Sequence, residues 1–337
     1  MKTKNIISLE GINMHYRILS LLLSFIFIAG CSQISQNNNK TAKPRIFVPK
    51  VVGEYKTVFK PNLTKPDREG KWYTNDHCFI KSDNGKWHAY GIIGKKPASP
   101  WTGEKNLFHV SGDSLLSDNW LEHDYALTVD PEYDRVLWAP HAIKKDDTYY
   151  MYYAGGNRQE NANTYCSWGT IQISTSKDLH KWKRSKSNPI ISEPGHARDP
   201  YLVKFDDKYY MYYTRTYDEI DRRSTVACRI SPDLEYWSSF KRVNIQPLEN
   251  DWGGDAESPY VVKYKGLYYL FVCLAGSSYD LTHVYWSDNP LNFPNENLVC
   301  KINSHAPEVL YDKKDGWFIS TTGWNKDGLY IAKLIWE

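Results

Sequence analysis

Three carboxylates stand out by where they fall in the chain. Asp76, Asp199 and Glu257 each open a segment that the sequence repeats. The segments read NDHCFIKSDNGKWHAYGI from Asn75, WAPHAIKKDDTYYMYYAG from Trp138, RDPYLVKFDDKYYMYYTR from Arg198, ESPYVVKYKGLYYLFVCL from Glu257 and HAPEVLYDKKDGWFISTT from His305. First positions hold Asn75, Trp138, Arg198, Glu257 and His305; second positions hold Asp76, Ala139, Asp199, Ser258 and Ala306. A scaffold copied five times thus carries acids in only three copies. A single Asp before Pro or His commonly satisfies a turn backbone. Three acids converging on one place repel and desolvate one another, so their retention points to chemistry. The chemistry is proton transfer, with one carboxyl donating while another acts as base or nucleophile. Glu257 sits one residue earlier than the two Asp, so strict strand alternation would turn it to the other face. Its longer side chain or a local bulge must bring it back.

The elements that position these acids follow from the same repeat. Each copy has a short apolar strand, a polar turn and a second, aromatic strand, which is a β-hairpin pattern. The third residues, His77, Pro140, Pro200, Pro259 and Pro307, are 63, 60, 59 and 48 residues apart. Between the hairpins lie further strand-like pieces ending near an aromatic residue: IQISTSKDLHKW, TVACRISPDLEYW and THVYWSDNPLNF. Hairpin plus outer strands makes about four antiparallel strands per unit. Self-similarity at this period predicts an all-β, five-bladed β-propeller over residues 71–337. No amphipathic helices of 10–15 residues separate the strands, which excludes an α/β fold. A two-sheet sandwich would not explain five similar hairpins. In a propeller the innermost strands ring an axis, so the first and second positions of all five copies meet there.

These motifs resemble glycoside hydrolase families 43 and 32, which share a five-bladed propeller, over essentially all of the chain from about Trp72. Asn75-Asp76 resembles the first-blade motif of the catalytic base or nucleophile. Trp138-Ala139-Pro140 resembles the second-blade strand of family 43. Arg198-Asp199-Pro200 resembles the motif whose Asp orients the acid and contacts the sugar. Glu257-Ser258-Pro259-Tyr260 resembles the segment of the general acid. The gaps of 123 and 58 residues between the acids fit that pattern. His77 departs from it by replacing a Pro. Asn-Asp and Arg-Asp-Pro lean toward family 32, compactness toward family 43; the neoagaro-oligosaccharide hydrolases are a third relative. The resemblance implies hydrolysis of plant or algal oligosaccharides at a furanose or pentose unit, of the arabinofuranosidase or xylosidase kind and inverting. A retaining, β-fructosidase-like enzyme is the alternative. Glu257 would then be the general acid, its proton retained by the charge of Asp199, and Asp76 the base or nucleophile. Asn75, Trp138, Arg198 and His305 would bind substrate, with Trp138 as a stacking platform; Trp72 and Trp252 read as loop packing. His141 and His196 read as residues with ordinary partners. A non-catalytic carbohydrate-binding propeller is the rival from another class. A phosphorylase would need a basic phosphate site, for which Arg158, Arg198 and Arg215 are the candidates.

The N-terminus reads as a processing signal. Arg17 precedes an apolar run, Ile18 to Ile28, then Ala29, Gly30 and Cys31. That run is too short to cross a bilayer as a helix, and its flanks fit a secretory signal. Ile28-Ala29-Gly30-Cys31 resembles a bacterial lipobox, with Cys31 lipidated. Residues 1–31 are thus expected to be signal peptide, and 32–70 a tether and lead-in. The protein is expected in the cell envelope, membrane-bound only through the lipid. A net charge of +3 gives no reason to expect nucleic acid. Five further cysteines show no CxxC pair, so zinc is not expected from spacing and buried thiols are. No cofactor is required by this chemistry. The one metal candidate is a hydrated Ca²⁺ on the axis near His305, where arabinanase-like relatives hold a metal or water cluster; a His bonded to backbone is the alternative.

Overall fold

The repeat is realised as hairpins arranged around an axis. A computed structural model describes residues 44–156, 169–193, 195–216, 224–245, 256–275 and 279–337. Strand β1 (Pro49–Phe59) comes first. Blade 1 follows with β2 (Trp72–Lys81), β3 (Trp87–Lys95), β4 (Asn106–Gly112) and β5 (Leu121–Glu122), while β6 (Leu127–Thr128) also pairs β4. Blade 2 is β7 (Leu137–Lys145), β8 (Thr148–Gly156), β9 (Gly169–Ser176) and β10 (Lys183–Arg184). Blade 3 is β11 (Ala197–Phe205), β12 (Lys208–Thr216), β13 (Ser224–Ser231) and β14 (Lys241–Asn244). Blade 4 is β15 (Ala256–Tyr264), β16 (Leu267–Leu274), β17 (Leu281–Ser287) and β18 (Leu298–Asn303). Blade 5 has the order β1, β21 (Leu329–Trp336), β20 (Gly316–Thr321) and β19 (Val309–Asp312).

That last sheet corrects the expected boundaries. Residues 49–59 are the outer strand of blade 5, with Pro49 opposite Trp336 and Phe59 opposite Leu329. The compact unit runs from Ile46 to Glu337, not from residue 71. Only four copies of the outer strand follow their own hairpin, so the fifth comes from the other end of the chain. Cys31 and the expected signal lie outside the described residues. Among the described residues, no helix is long and apolar enough to cross a membrane.

The first strand of four of the five repeats carries a defect at the same place. Pairing slips between Asn75 and His77, Trp138 and His141, Arg198 and Tyr201, and Glu257 and Tyr260. Ala139, Asp199, Ser258 and Ala306 adopt φ of 43°, 55°, 47° and 43°. The second motif position is therefore left-handed in four of five copies. Such bulges re-aim side chains, and here they dissolve the parity problem of Glu257.

The aromatic second strands explain how blades adhere. Tyr90 on β3 donates its hydroxyl to Leu179 O, Tyr152 on β8 to Leu234 O, and Tyr212 on β12 to Pro290 O, at 2.5, 3.1 and 2.8 Å. Each acceptor lies in the turn before the outer strand of the next blade. A buried Tyr needs a partner for its hydroxyl, and these rings spend theirs on the seam. Cys78, Cys228 and Cys273 are buried and unbridged, as expected, and Cys300 is half-buried.

Candidate active site

The bulged strands bring Asp76, Asp199 and Glu257 together, and one residue links them. Ser258 donates its hydroxyl to Asp76 Oδ1 at 2.5 Å and its backbone N–H to Asp199 Oδ2 at 3.2 Å. Glu257 is its chain neighbour. The left-handed turn at Ser258 lets the two donors face different blades. Asp199 Oδ2 also accepts from Thr214 Oγ1 at 2.9 Å. Arg198 lies between two acids, with Nε 3.5 Å from Asp199 Oδ2 and Nη2 3.3 Å from Glu257 Oε1. Side-chain exposure is 8% for Asp199, 15% for Asp76 and 24% for Glu257. The most enclosed carboxylate is thus the most heavily anchored, and Asp76 and Glu257 are the two more open ones.

The carboxyl lifted well above its usual range is Asp76, through burial first and the neighbouring Asp199 second, opposed by the Ser258 hydrogen bond.

Around them lies a wall that sequence reasoning missed. Glu104, in the loop before β4, is buried and accepts from Tyr73 Oη at 3.0 Å and Trp324 Nε1 at 3.1 Å. Burial pushes its carboxyl up to about 7. Tyr279 stacks on His305 at 3.5 Å and on Trp324 at 4.8 Å, and donates to Asn75 Oδ1 at 2.9 Å. Asn75 is therefore a buried support of this wall. His305 is also buried; Nδ1 donates to Tyr279 O at 2.8 Å, and burial lowers the ring to about 3, so it is neutral. Its Nε2 lone pair faces Asp76 Oδ1 across 4.0 Å, a gap that water or a sugar hydroxyl can bridge.

The aromatic surfaces are reassigned. Trp138 is buried, 7% exposed, and donates its indole N–H to Pro100 O. Trp101, 53% exposed, stands edge-on against it at 5.1 Å and presents the open ring expected of Trp138. It belongs to a one-turn helix, α1 (Pro100–Gly103). Trp324, 37% exposed, is the second open indole. His196 packs under Trp101 at 5.8 Å. Trp72 bonds Glu69 O, as loop packing requires, and Trp252 lies outside the described residues. No repeat position marked Glu104, Trp101, Tyr279 or Trp324, because all four sit in connections between strands.

Below the acids is an axial cavity of about 30 Å³, lined by Ala139, Asp199, Ser258, Ala306, His141 and Glu308. Its volume suits about one water. Glu308 closes the floor, accepting from Phe79 N–H at 2.8 Å with its other oxygen 3.1 Å from His141 Nδ1. His141, on β7, thus lines the axial cavity. The expected Ca²⁺ finds a poor fit here. His305 offers one nitrogen and Asp76 an oxygen already bonded to Ser258, whereas Ca²⁺ takes six to eight oxygen ligands. No step below is routed through a cation.

Fold and site together define a propeller of the glycosidase type, with its acids at the axial mouth. Residues 69–309 match the family of glycosyl hydrolases family 32 N-terminal domain, and the chain belongs to it. A 1,2-β-oligomannan phosphorylase from Thermoanaerobacter sp. (strain X514) is 29% identical over 119 residues, which is 35% of either chain. The match therefore spans about a third of that curated relative. Among solved structures, a family-43 β-xylosidase/α-arabinofuranosidase from a compost metagenome superposes with a TM-score of 0.59 at 19% identity, covering 84% of this chain and 95% of that one. A Bombyx mori family-32 β-fructofuranosidase gives 0.59 at 16% identity, covering 77% and 59%.

Proposed function

We propose that this chain hydrolyses O-glycosidic bonds in plant or algal oligosaccharides at a furanose or pentose unit, with Asp76 and Glu257 as the reacting pair. The observation that carries this reading is the linkage of three carboxylates at one mouth through Ser258 and Arg198. In the working state the pair carries one proton between them. With the proton on Glu257, that residue protonates the leaving oxygen while ionised Asp76 attacks or activates water. Asp199 positions Glu257 through Arg198 and positions Asp76 through Ser258. His305 Nε2 accepts a sugar or water hydroxyl. Trp101 and Trp324 give stacking surfaces to the units beyond the bond.

Membership of family 32 favours retention, with Asp76 as nucleophile; likeness to the family-43 fold favours inversion, with Asp76 as base. NMR of the first-formed anomer separates them, and we commit to retention. A phosphorylase reading draws support from the oligomannan phosphorylase relative. Against it, Arg215 is engaged with Glu193 at 3.0 Å and Arg198 with the acids; Arg158 lies outside the described residues. Turnover that requires inorganic phosphate would replace hydrolysis with that reading. The proposed workplace is the cell envelope, held by a lipid on Cys31, and palmitate labelling of wild type against Cys31→Ala tests it.

The pair is tested by leaving-group rescue. Glu257→Gln should lose natural oligosaccharides yet keep aryl glycosides whose leaving group needs no proton. Asp76→Asn should lose both, by about 10³-fold or more. Equal losses on both substrates in Glu257→Gln would remove it as the acid.

A further inference from the structure

Four histidines meet far from the acids. His88 lies on β3, His109 on β4, His123 just after β5, and His180 in the turn after β9. Pairing sets His88 opposite Ser111 and Tyr90 opposite His109, so both imidazoles leave the same face of blade 1. His123 N–H bonds to His109 O at 2.9 Å, and its Nε2 lies 2.8 Å from Ser111 Oγ. His180 arrives from blade 2 on the turn that Tyr90 ties down through Leu179 O. Ring centroids of His109 lie 5.1 Å from His88, 4.3 Å from His123 and 4.8 Å from His180.

One ring nitrogen from each of His88, His109 and His180 lies within 4.8 Å of the others. His88 Nδ1 and His109 Nε2 are 2.8 Å apart. Burial is graded: His88 and His109 are enclosed, His123 is half-buried and His180 is exposed. An ion can therefore approach from solvent and meet enclosed ligands.

We propose that His88, His109 and His180 bind a single divalent ion of the zinc–copper class, with the His123 ring beside them and a fourth position left to His123 or water. Imidazole nitrogens suit these metals, and an all-nitrogen set excludes Ca²⁺ and Mg²⁺. With metal–nitrogen bonds of about 2.0–2.1 Å, two ligands on a tetrahedral ion sit about 3.3 Å apart. The His88–His109 pair needs to open by about half an ångström from its hydrogen-bonded separation. The proton between them moves to the other nitrogen of its own ring, leaving a lone pair on each ligand atom. His88 pairs with Ile80, whereas Asn75 pairs with Ile92, so the site is at the opposite end of blade 1 from the acids. Its role is to staple blade 1, where outer strand β5 spans only Leu121–Glu122, to the turn of blade 2. Spacings of 21, 14 and 57 residues hid this site from motif reading, which had set zinc aside.

The test uses tag-free protein stripped with EDTA and dialysed against Zn²⁺ or Co²⁺. One equivalent should bind, Co²⁺ should show the intense visible bands of a tetrahedral site, and Zn²⁺ should bleach them. Saturating Zn²⁺ should raise the melting temperature by a few degrees. The double substitution His123→Ala and His180→Ala alters only the two accessible rings. It should keep the metal-free melting temperature of wild type and lose the bound equivalent, the bands and the metal-induced shift. Substoichiometric binding by wild type, or binding unchanged in the double variant, would overturn the proposal.

Discussion

Ser258 does more at this site than its type suggests, because it holds Asp76 by its hydroxyl and Asp199 by its amide. Hydrogen bonding to the ionised form lowers a carboxyl pKa. Ser258→Ala should therefore lift Asp76 further, moving the acid limb of kcat/KM to higher pH with little change in fold. An unmoved limb would detach Ser258 from the reacting acid. Glu104 makes the second prediction at this scale. Its raised pKa means that its stabilising proton is fully bound below the unfolded value of 4.5 and lost as pH rises through about 7. Wild type should lose on the order of 3 kcal/mol across that window. Glu104→Gln keeps an acceptor for Tyr73 and Trp324 but has no proton to lose. Its melting temperature should fall less between pH 4.5 and 7.5 and exceed wild type above pH 7. Asp76, Asp199 and Glu257 were legible in the sequence because the repeat supplied a register in which acids were exceptional. Glu104, Trp101 and Tyr279 were not, because connections between strands carry no register.

The bulge is the unit that converts repeat into site. A non-glycine residue in left-handed backbone costs about 1–2 kcal/mol, and Ala139 and Ala306 stand there with φ of 43°. Glycine relieves this strain and costs about 0.5–1 kcal/mol of chain entropy. Ala306→Gly should thus be neutral or stabilising by up to about 1 kcal/mol, whereas Ala306→Val should destabilise by more than about 2 kcal/mol. Denaturant unfolding of both variants checks the sign. The hairpins themselves were plain in the sequence, since aromatic strands and polar turns recur together. Lys265 and Gly266, with φ of 48° and 87°, form the two-residue turn that the Lys-Gly pair announces. The bulges were visible only as the mismatch between Glu257 and its Asp counterparts. Backbone defects leave no residue signature of their own when Ala, Asp and Ser can all occupy them.

At the scale of the molecule, closure decides whether the acids face one another. The ring is completed by β1 on β21, so both ends of the described chain share one blade. A chain lacking residues 1–45 should melt like the full protein. One beginning at residue 61 should bare the β21 edge and associate, which light scattering on a sizing column would show. The sequence pattern of blade 5 lacked an outer strand of its own, and pairing over such a distance cannot be read from local periodicity; hence residues 49–59 passed for lead-in. The four-histidine cluster was hidden for the same reason, as its members meet only across a blade seam. What closure is for is stated most directly by the products. Wild type and Asp76→Asn, shown by circular dichroism to share one fold, would be incubated with a panel of plant and algal oligosaccharides without phosphate, and the sugars released would be resolved by chromatography. Free reducing sugar from wild type, with at least about a thousandfold less from the variant, is the expected result. Products that appear only with added phosphate, or equal release by both proteins, would contradict hydrolysis by the Asp76–Glu257 pair.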